Sequence, residues 1–377
     1  MRGSRHSKPL HRLTALLGAA ALMLTLGACG GQGEAAPDGA PTASATSSAT
    51  GGTAAATEDA ASGTAQEDPA TVAADDPEPA SPAVAAAPVR VASLKGPTTM
   101  ALADLMNEPA WAQDFQVTMY GTPDEITGPL IQGEIDVALI PANLAAVLYN
   151  NTGGAVQVAG VSALGVLHVL AKGVVVTSLA DLAGQTVWST GKGNTPQYVL
   201  EYLLAQAGVA DQVTVEYLSQ SDEVAAKLVA ADSGIGVLPQ PYATVVALQD
   251  PAVTEALDLT EQWNLVSPDS ALVTAVVVVR AAYAAENPQR VADFLSALQQ
   301  SVAYTEEEPA AAAELIAELG LTPSAAIAEA ALPGAHLVAL TGAEAKAAVG
   351  GYLQVLFDAN PDSVGGAVPG DAFYYAP

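Results

Sequence analysis

Two stretches decide the reading of this chain: Ala92-Ser93-Leu94-Lys95-Gly96-Pro97-Thr98-Thr99 and Trp188-Ser189-Thr190-Gly191-Lys192-Gly193-Asn194-Thr195. Each leaves a short apolar, strand-like run (Val89 to Leu94; Thr186 to Ser189) through a loop of lysine, glycine and threonine. Each then enters a helix-like segment, the first through Met106 and the second from Pro196 to Ala207. The parallel continues downstream. Phe115 to Tyr120 matches Val213 to Leu218, at spacings of 27 residues from Ser93 to Tyr120 and 28 from Ser189 to Tyr217. Asp124-Glu125-Ile126 and Asp222-Glu223-Val224 each open a helix with acids in its first turn, where the helix dipole accounts for them. Seventeen residues after Asp124 and after Asp222 stand Pro141 and Pro239, each ending an apolar run, Val137 to Ile140 and Ile235 to Leu238.

Two such halves predict an α/β protein of two lobes. Generic α/β units share much of this spacing, and without a true repeat the alternation still gives two mixed, mostly parallel sheets with flanking helices. Near-continuous apolar runs at Val156 to Gly165 and Val166 to Leu170, and a return through Leu272 to Arg280, predict a two-strand hinge. The expected organisation is a first lobe from 89–165, a second lobe from 166–270, and 271–377 as the return strand and C-terminal helices of the first lobe. The remainder reads as helical: from Asn287-Pro288 to about Tyr304, from Glu308 to Leu319, and from Ala343 to Asn360. The tail Asp371 to Tyr375 is expected to dock its aromatics.

The segment before the lobes reads differently. Arg2, Arg5, Lys8 and Arg12 precede an apolar run, Leu13 to Leu26, too short for a comfortable membrane span. It ends in Leu26-Gly27-Ala28-Cys29-Gly30, which resembles a lipoprotein lipobox. That resemblance implies a signal peptide over 1–28 and an acylated Cys29 as anchor. Cys29 is the only cysteine, so no intramolecular disulfide supports the fold. Residues 29–88 lack Leu, Ile, Met and aromatics and are rich in Ala, Pro, Ser, Thr and acids. Such a segment reads as a disordered acidic linker, with a root-mean-square span of roughly 45 Å.

The formal charge is −28. Beyond Cys29 stand eight basic and forty acidic residues, a formal charge of −32. That charge excludes nonspecific nucleic-acid binding and disfavours anionic lipid surfaces except through the anchor. Catalytic signatures are poor. His168 lies in an apolar run and reads as a core residue, and His336 stands alone. No His/Cys/Asp cluster has metal-ligand spacing, and Gly191-Lys192-Gly193 lacks the Ser or Thr that a phosphate-binding loop needs after its lysine. Neither a catalytic residue nor a cofactor or metal is expected.

Ligands in open α/β sheets sit beyond the carboxyl ends of the strands, close to helix N-termini. The candidate binding residues are therefore Lys95, Thr98, Thr99, Asn143, Lys192, Asn194, Thr195 and Gln240. The threonines and Asn194 are expected to donate hydroxyl or amide hydrogen bonds, Asn143 and Gln240 to add oriented amides, and the lysines to favour an anion. The duller reading of Thr or Asn before a helix is an N-cap. Trp188 and Tyr242 are candidates for stacking on a ligand or for packing.

From Val89 onward the chain resembles the solute-binding proteins of ABC importers with the periplasmic binding protein type II fold, in the SsuA/THI5-like group of nitrate, sulfonate, taurine and thiamine-precursor binders. The matching strings are the first stretch quoted above, Gly133-Glu134-Ile135-Asp136-Val137-Ala138 running into Pro141-Ala142-Asn143, Ser189 to Gly193, and the entry Asp181-Leu182-Ala183-Gly184-Gln185-Thr186-Val187. One departure is Ser233-Gly234-Ile235-Gly236, where a pattern like Gly133 to Asp136 is expected. The resemblance implies an extracytoplasmic, lipid-anchored monomer. It would capture a small solute, for instance a sulfonate-like anion, and deliver it to a permease and its ATPase. An enzyme on the same fold and an extracellular ligand sensor, for example one related to thiamine-pyrimidine precursors, are the alternatives.

Overall fold

The computed structural model describes residues 87–376. The expected signal peptide, Cys29 and nearly all of the expected linker lie outside the described residues. The strands are β1 (Val89–Leu94), β2 (Phe115–Tyr120), β3 (Val137–Pro141), β4 (Val156–Ala163), β5 (Leu167–Lys172), β6 (Thr186–Ser189), β7 (Thr214–Tyr217), β8 (Gly234–Pro239), β9 (Val253–Asp258), β10 (Ala275–Arg280) and β11 (Leu337–Thr341). They form a six-stranded sheet, β11-β4-β10-β3-β1-β2, and a five-stranded sheet, β7-β6-β8-β5-β9.

The repeat is visible in the pairing. In the first sheet β1 runs parallel to both β2 and β3, and β10 returns antiparallel beside β3. In the second, β6 runs parallel to β7 and β8, and β5 is the antiparallel neighbour of β8. Register corrects one equivalence. Ser93 faces Met119 while Ser189 faces Tyr217, so Tyr217 corresponds to Met119 and not to Tyr120. The chain passes between the sheets twice, from β4 into β5 and from the helix Leu259–Val266 into β10.

The central strands are largely buried on both faces, as sheets covered by helices require, with Arg90 and Thr186 the exposed exceptions and His168 a buried polar one. The sheets are mixed rather than mostly parallel, because β10, β4 and β11 in the first and β8, β5 and β9 in the second pair antiparallel where the chain crosses and returns. Two edge strands depart from the sequence reading. β9 mixes apolar and polar residues, β11 is a short apolar run ending in Thr341, and the two are held by pairing with β5 and β4. The 337–341 segment is thus a strand within the otherwise helical C-terminal region. β11 comes so close to β4 that a Cβ on Gly160 would lie 2.8 Å from the Leu340 carbonyl oxygen. The tail docks: Phe373 is fully buried with its ring 5.1 Å from that of Tyr149, and the Tyr375 N–H donates to the Val158 carbonyl.

The departure at Gly234 has a packing cause. Gly234 corresponds in register to Asp136, which accepts three hydrogen bonds from Arg90 and a longer one from Arg280. In the second sheet the Trp188 ring lies over Gly234, 2.4 Å from where a Cβ would stand, with Lys227 4.7 Å from the ring centroid. A ring under a cation stands where the first sheet has the Arg90–Asp136 ion pair.

Candidate functional site

The carboxyl ends of β1, β3, β6 and β8 meet at a cleft of about 400 Å³, within the usual range for small-molecule sites. Its floor is the crossing region between the lobes: Val166, Leu167, Thr274 and Ala275. Pro141 and Pro239, at matching strand ends, stand on opposite walls.

Five of the eight candidate residues line this cleft: Lys95, Thr98, Lys192, Asn194 and Thr195. Three do not. Thr99 is fully buried and its hydroxyl donates to the Leu94 carbonyl at 2.6 Å, beside the Ser93 hydroxyl. Asn143 is buried behind the loop Thr190 to Thr195, its amide donating to the Gly193 and Ser363 carbonyls at 3.3 and 3.1 Å. Gln240 is turned away, and its Oε1 accepts from the Thr244 hydroxyl at 2.9 Å. The expected hydroxyl donors are also committed elsewhere. Thr98 donates to the Leu94 carbonyl and Thr195 donates to Asn143 Oδ1. Asn194 keeps donor capacity, since one amide hydrogen bond, to the Lys192 carbonyl, accounts for only part of its NH2 group.

Two further loops line the cleft that the sequence reading did not single out: Gly121 to Asp124 after β2, and Leu218 to Ser221 after β7. Their signal was the repeat itself, because each stands between a strand end and a helix start. Both are braced alike. Glu125 Oε2 accepts from the Gly121 and Thr122 N–H groups at 3.0 and 2.8 Å, and Glu223 Oε2 accepts from the Ser219 N–H at 2.9 Å. The backbone bond from Thr122 leads in holding the Glu125 carboxyl below its ordinary pKa, with Lys95 a smaller influence. These glutamates serve their own loops.

The electrostatics are selective. Arg90, Lys172, Lys227, Arg280, Arg290 and Lys346 each sit within 4.0 Å of a carboxylate. Among the described residues, Lys95 and Lys192 are the two basic side chains without such a partner, and both line the cleft, one from each lobe. Asp124 is the single carboxylate residue on the lining.

No aromatic residue and no histidine is among the lining residues. Trp188 is engaged with Gly234, and Tyr242 packs in the second lobe's apolar cluster. His168 is buried in β5, with Glu255 Oε1 2.9 Å from Nδ1 and the Gly334 carbonyl 3.5 Å from Nε2. Among the described residues no group of three His, Cys, Asp or Glu is placed to hold a metal, and no helix is long and apolar enough to cross a membrane. The site offers positive charge, amide donors and an apolar, proline-rich wall.

Residues 156–312 match the family model described as NMT1/THI5 like. No curated protein matches the chain. Among solved structures, an ABC transporter from Parabacteroides distasonis is similar with a TM-score of 0.65 and 24% identity, over 77% of this chain and 99% of that one. The periplasmic aliphatic sulphonate binding protein SsuA from Escherichia coli gives 0.61 and 18%, over 78% and 93%. The periplasmic nitrate-binding protein NrtA from Synechocystis PCC 6803 gives 0.51 and 13%, over 62% and 66%. The two sheets and their cleft thus have the fold of the periplasmic binding proteins, and the segment 156–312 within them carries the NMT1/THI5-like pattern.

Proposed function

We propose that this protein is the extracytoplasmic solute-binding component of an ABC importer, and that it captures a small aliphatic anion of sulfonate type for a permease and its ATPase. The carrying observation is the pair of lysines. In a chain this acidic, the two described cations without a carboxylate partner both line one cleft. Lys95 and Lys192 would balance the anion, Asn194 would donate an amide hydrogen bond, and Thr98 and Thr195 would shape the wall. The prolines and leucines would cover an alkyl chain. The absence of aromatics from the lining favours an aliphatic solute over a stacked pyrimidine ring. Closure of two lobes would bury the solute from both sides. Upstream, the signal sequence and acylated Cys29 would tether the molecule, as a monomer, to the outer face of the cell membrane.

The test is a thermal-shift panel on the purified protein with alkanesulfonates, nitrate, amino acids and pyrimidines. A solute at a hundred times its dissociation constant adds about 2.7 kcal/mol of stability. Sulfonates are expected to raise the melting temperature, and pyrimidines to leave it unchanged. A response confined to neutral or cationic solutes would refute the proposal. For the anchor, Cys29→Ala is expected to release the protein from the membrane fraction; a variant that stays there refutes acylation as the tether.

A further inference from the structure

Asn143 occupies an unusual position behind the cleft. It stands in the first turn of the helix Ala142–Thr152, which follows β3 of the first sheet, and it is fully buried. Its amide has partners on both sides of the lobe boundary. On its own side it donates to the Ser363 carbonyl at 3.1 Å. Across the boundary it donates to the Gly193 carbonyl at 3.3 Å and accepts from the Thr195 hydroxyl at 3.2 Å. Tyr352, from the helix Gly342–Ala359, completes the knot by donating to Thr195 Oγ1 at 3.4 Å. Asn143, Thr195, Ser363 and Tyr352 are all fully buried.

The residues held from across the boundary bracket the second lobe's contribution to the cleft. Gly193 lies between Lys192 and Asn194, and its φ of 80° sets the bend that presents both. Thr195 begins the helix Thr195–Gln206. The donors and the acceptor of one buried amide are thus all committed, and two of its three partners belong to the loop that carries a lysine of the cleft. Separation of the lobes would break both of these bonds together, leaving a buried amide with one partner unless water enters.

We infer that Asn143 is a positioning residue: without touching the solute, it holds the backbone of the loop bearing Lys192 and Asn194 from the opposite lobe, so that loop geometry and lobe closure form one event. The solute-binding reading of the cleft enters only in the second arm of the test.

The first arm needs no ligand. Hydrogen exchange is followed by mass spectrometry on the full chain, on Asn143→Leu, on Thr195→Val and on the double variant. Peptides covering Thr190 to Tyr198 are expected to exchange about five- to thirtyfold faster in either single variant, as loss of one or two neutral hydrogen bonds implies. Strands β1, β3 and β6 are expected to keep their protection. The double variant is expected to exceed neither single one by much, because both remove the same bond. Unchanged loop exchange, a uniform acceleration over the whole chain, or fully additive effects would each overturn the inference. Thr195→Val removes the knot from the other side should Asn143→Leu not fold. The second arm measures ethanesulfonate binding by calorimetry, with a similar five- to thirtyfold loss expected in both variants. Loosened loops with undiminished ethanesulfonate affinity would overturn the coupling to capture. Failure of the unaltered protein to bind ethanesulfonate would instead count against the sulfonate reading, and the exchange arm would still decide the role of Asn143.

Discussion

Replacing Lys192 with methionine keeps the length of the stem and removes the charge at the cleft. An ammonium about 4 Å from an anion gains about 4 kcal/mol at the effective dielectric near a protein surface. Lys192 is an exposed residue, so solvent screening and the ordering of its side chain take back much of that. A charge-assisted contact of about 1–2 kcal/mol remains, which corresponds to about five- to thirtyfold in affinity. Lys95→Met, on the opposite lobe, carries the same expectation. Because both lysines address one solute, the double variant is expected to fall short of the product of the single effects. The assay is isothermal titration with ethanesulfonate, run beside dimethyl sulfone, a neutral molecule of related shape. Folding should be untouched, since neither lysine forms an ion pair among the described residues. Affinities equal to the unaltered protein in both single variants would refute the electrostatic assignment of the cleft. Equal binding of the neutral sulfone and the sulfonate would refute it as well.

Burial disfavours a charged His168, but the bond to Glu255 outweighs it together with Asp258 and the Gly334 carbonyl, and the ring's pKa lies above its ordinary value. Its stabilisation is therefore complete below the ordinary imidazole pKa and is lost as pH rises through the raised folded value. Scanning calorimetry at pH values rising from about 6.5, the ordinary imidazole pKa, should show a steeper loss of stability for the unaltered protein than for His168→Gln; identical slopes would count against it. For Asp136 burial works to raise the pKa, yet the bonds from Arg90, aided by Arg280, hold it below the ordinary value. Its contribution is present above the ordinary carboxylate pKa and disappears as pH falls through the depressed one. Asp136→Ala should cost about 2–3 kcal/mol in urea unfolding, less than a fully buried pair because Arg90 is 44% exposed; a cost near zero would show that Asp136 is not a structural anchor. Gly234→Ala drives a methyl into the Trp188 ring and should cost about 1–3 kcal/mol with a change in tryptophan emission. Unaltered emission and stability would refute the packing account of that position.

The architecture was legible because its signal is repeated. Two strand–loop–helix series with prolines at equal intervals correspond to two sheets with the same central order, β2-β1-β3 and β7-β6-β8. The edge strands were less legible because distant partners hold them. Leu337–Thr341 becomes a strand beside β4, whose Gly160 admits the close approach. At the cleft, the loops could be read but the side-chain directions could not. Thr99, Asn143 and Gln240 stand at or near the correct strand ends, yet each turns inward to satisfy polar groups within the fold. Which lysines lack a partner is likewise invisible in a linear sequence, because ion pairs such as Arg280 with Asp136 join residues far apart in the chain.

The place of β10 has a consequence for how the chain assembles. The second sheet uses consecutive strands, β5 to β9, and every pairing in it lies between Leu167 and Asp258. The first sheet has a gap between β3 and β4 that only β10 can fill, and β10 follows the whole second lobe in sequence. Until Ala275–Arg280 arrives, β3 and β4 each present an open edge, the kind of edge that recruits strands from other chains. Closing it requires contacts of long sequence separation, which are slow to form. The lobe that begins first in the chain is therefore the one that must be finished last: β10 closes the gap between β3 and β4, and the other edge of β4 stays open until β11 arrives.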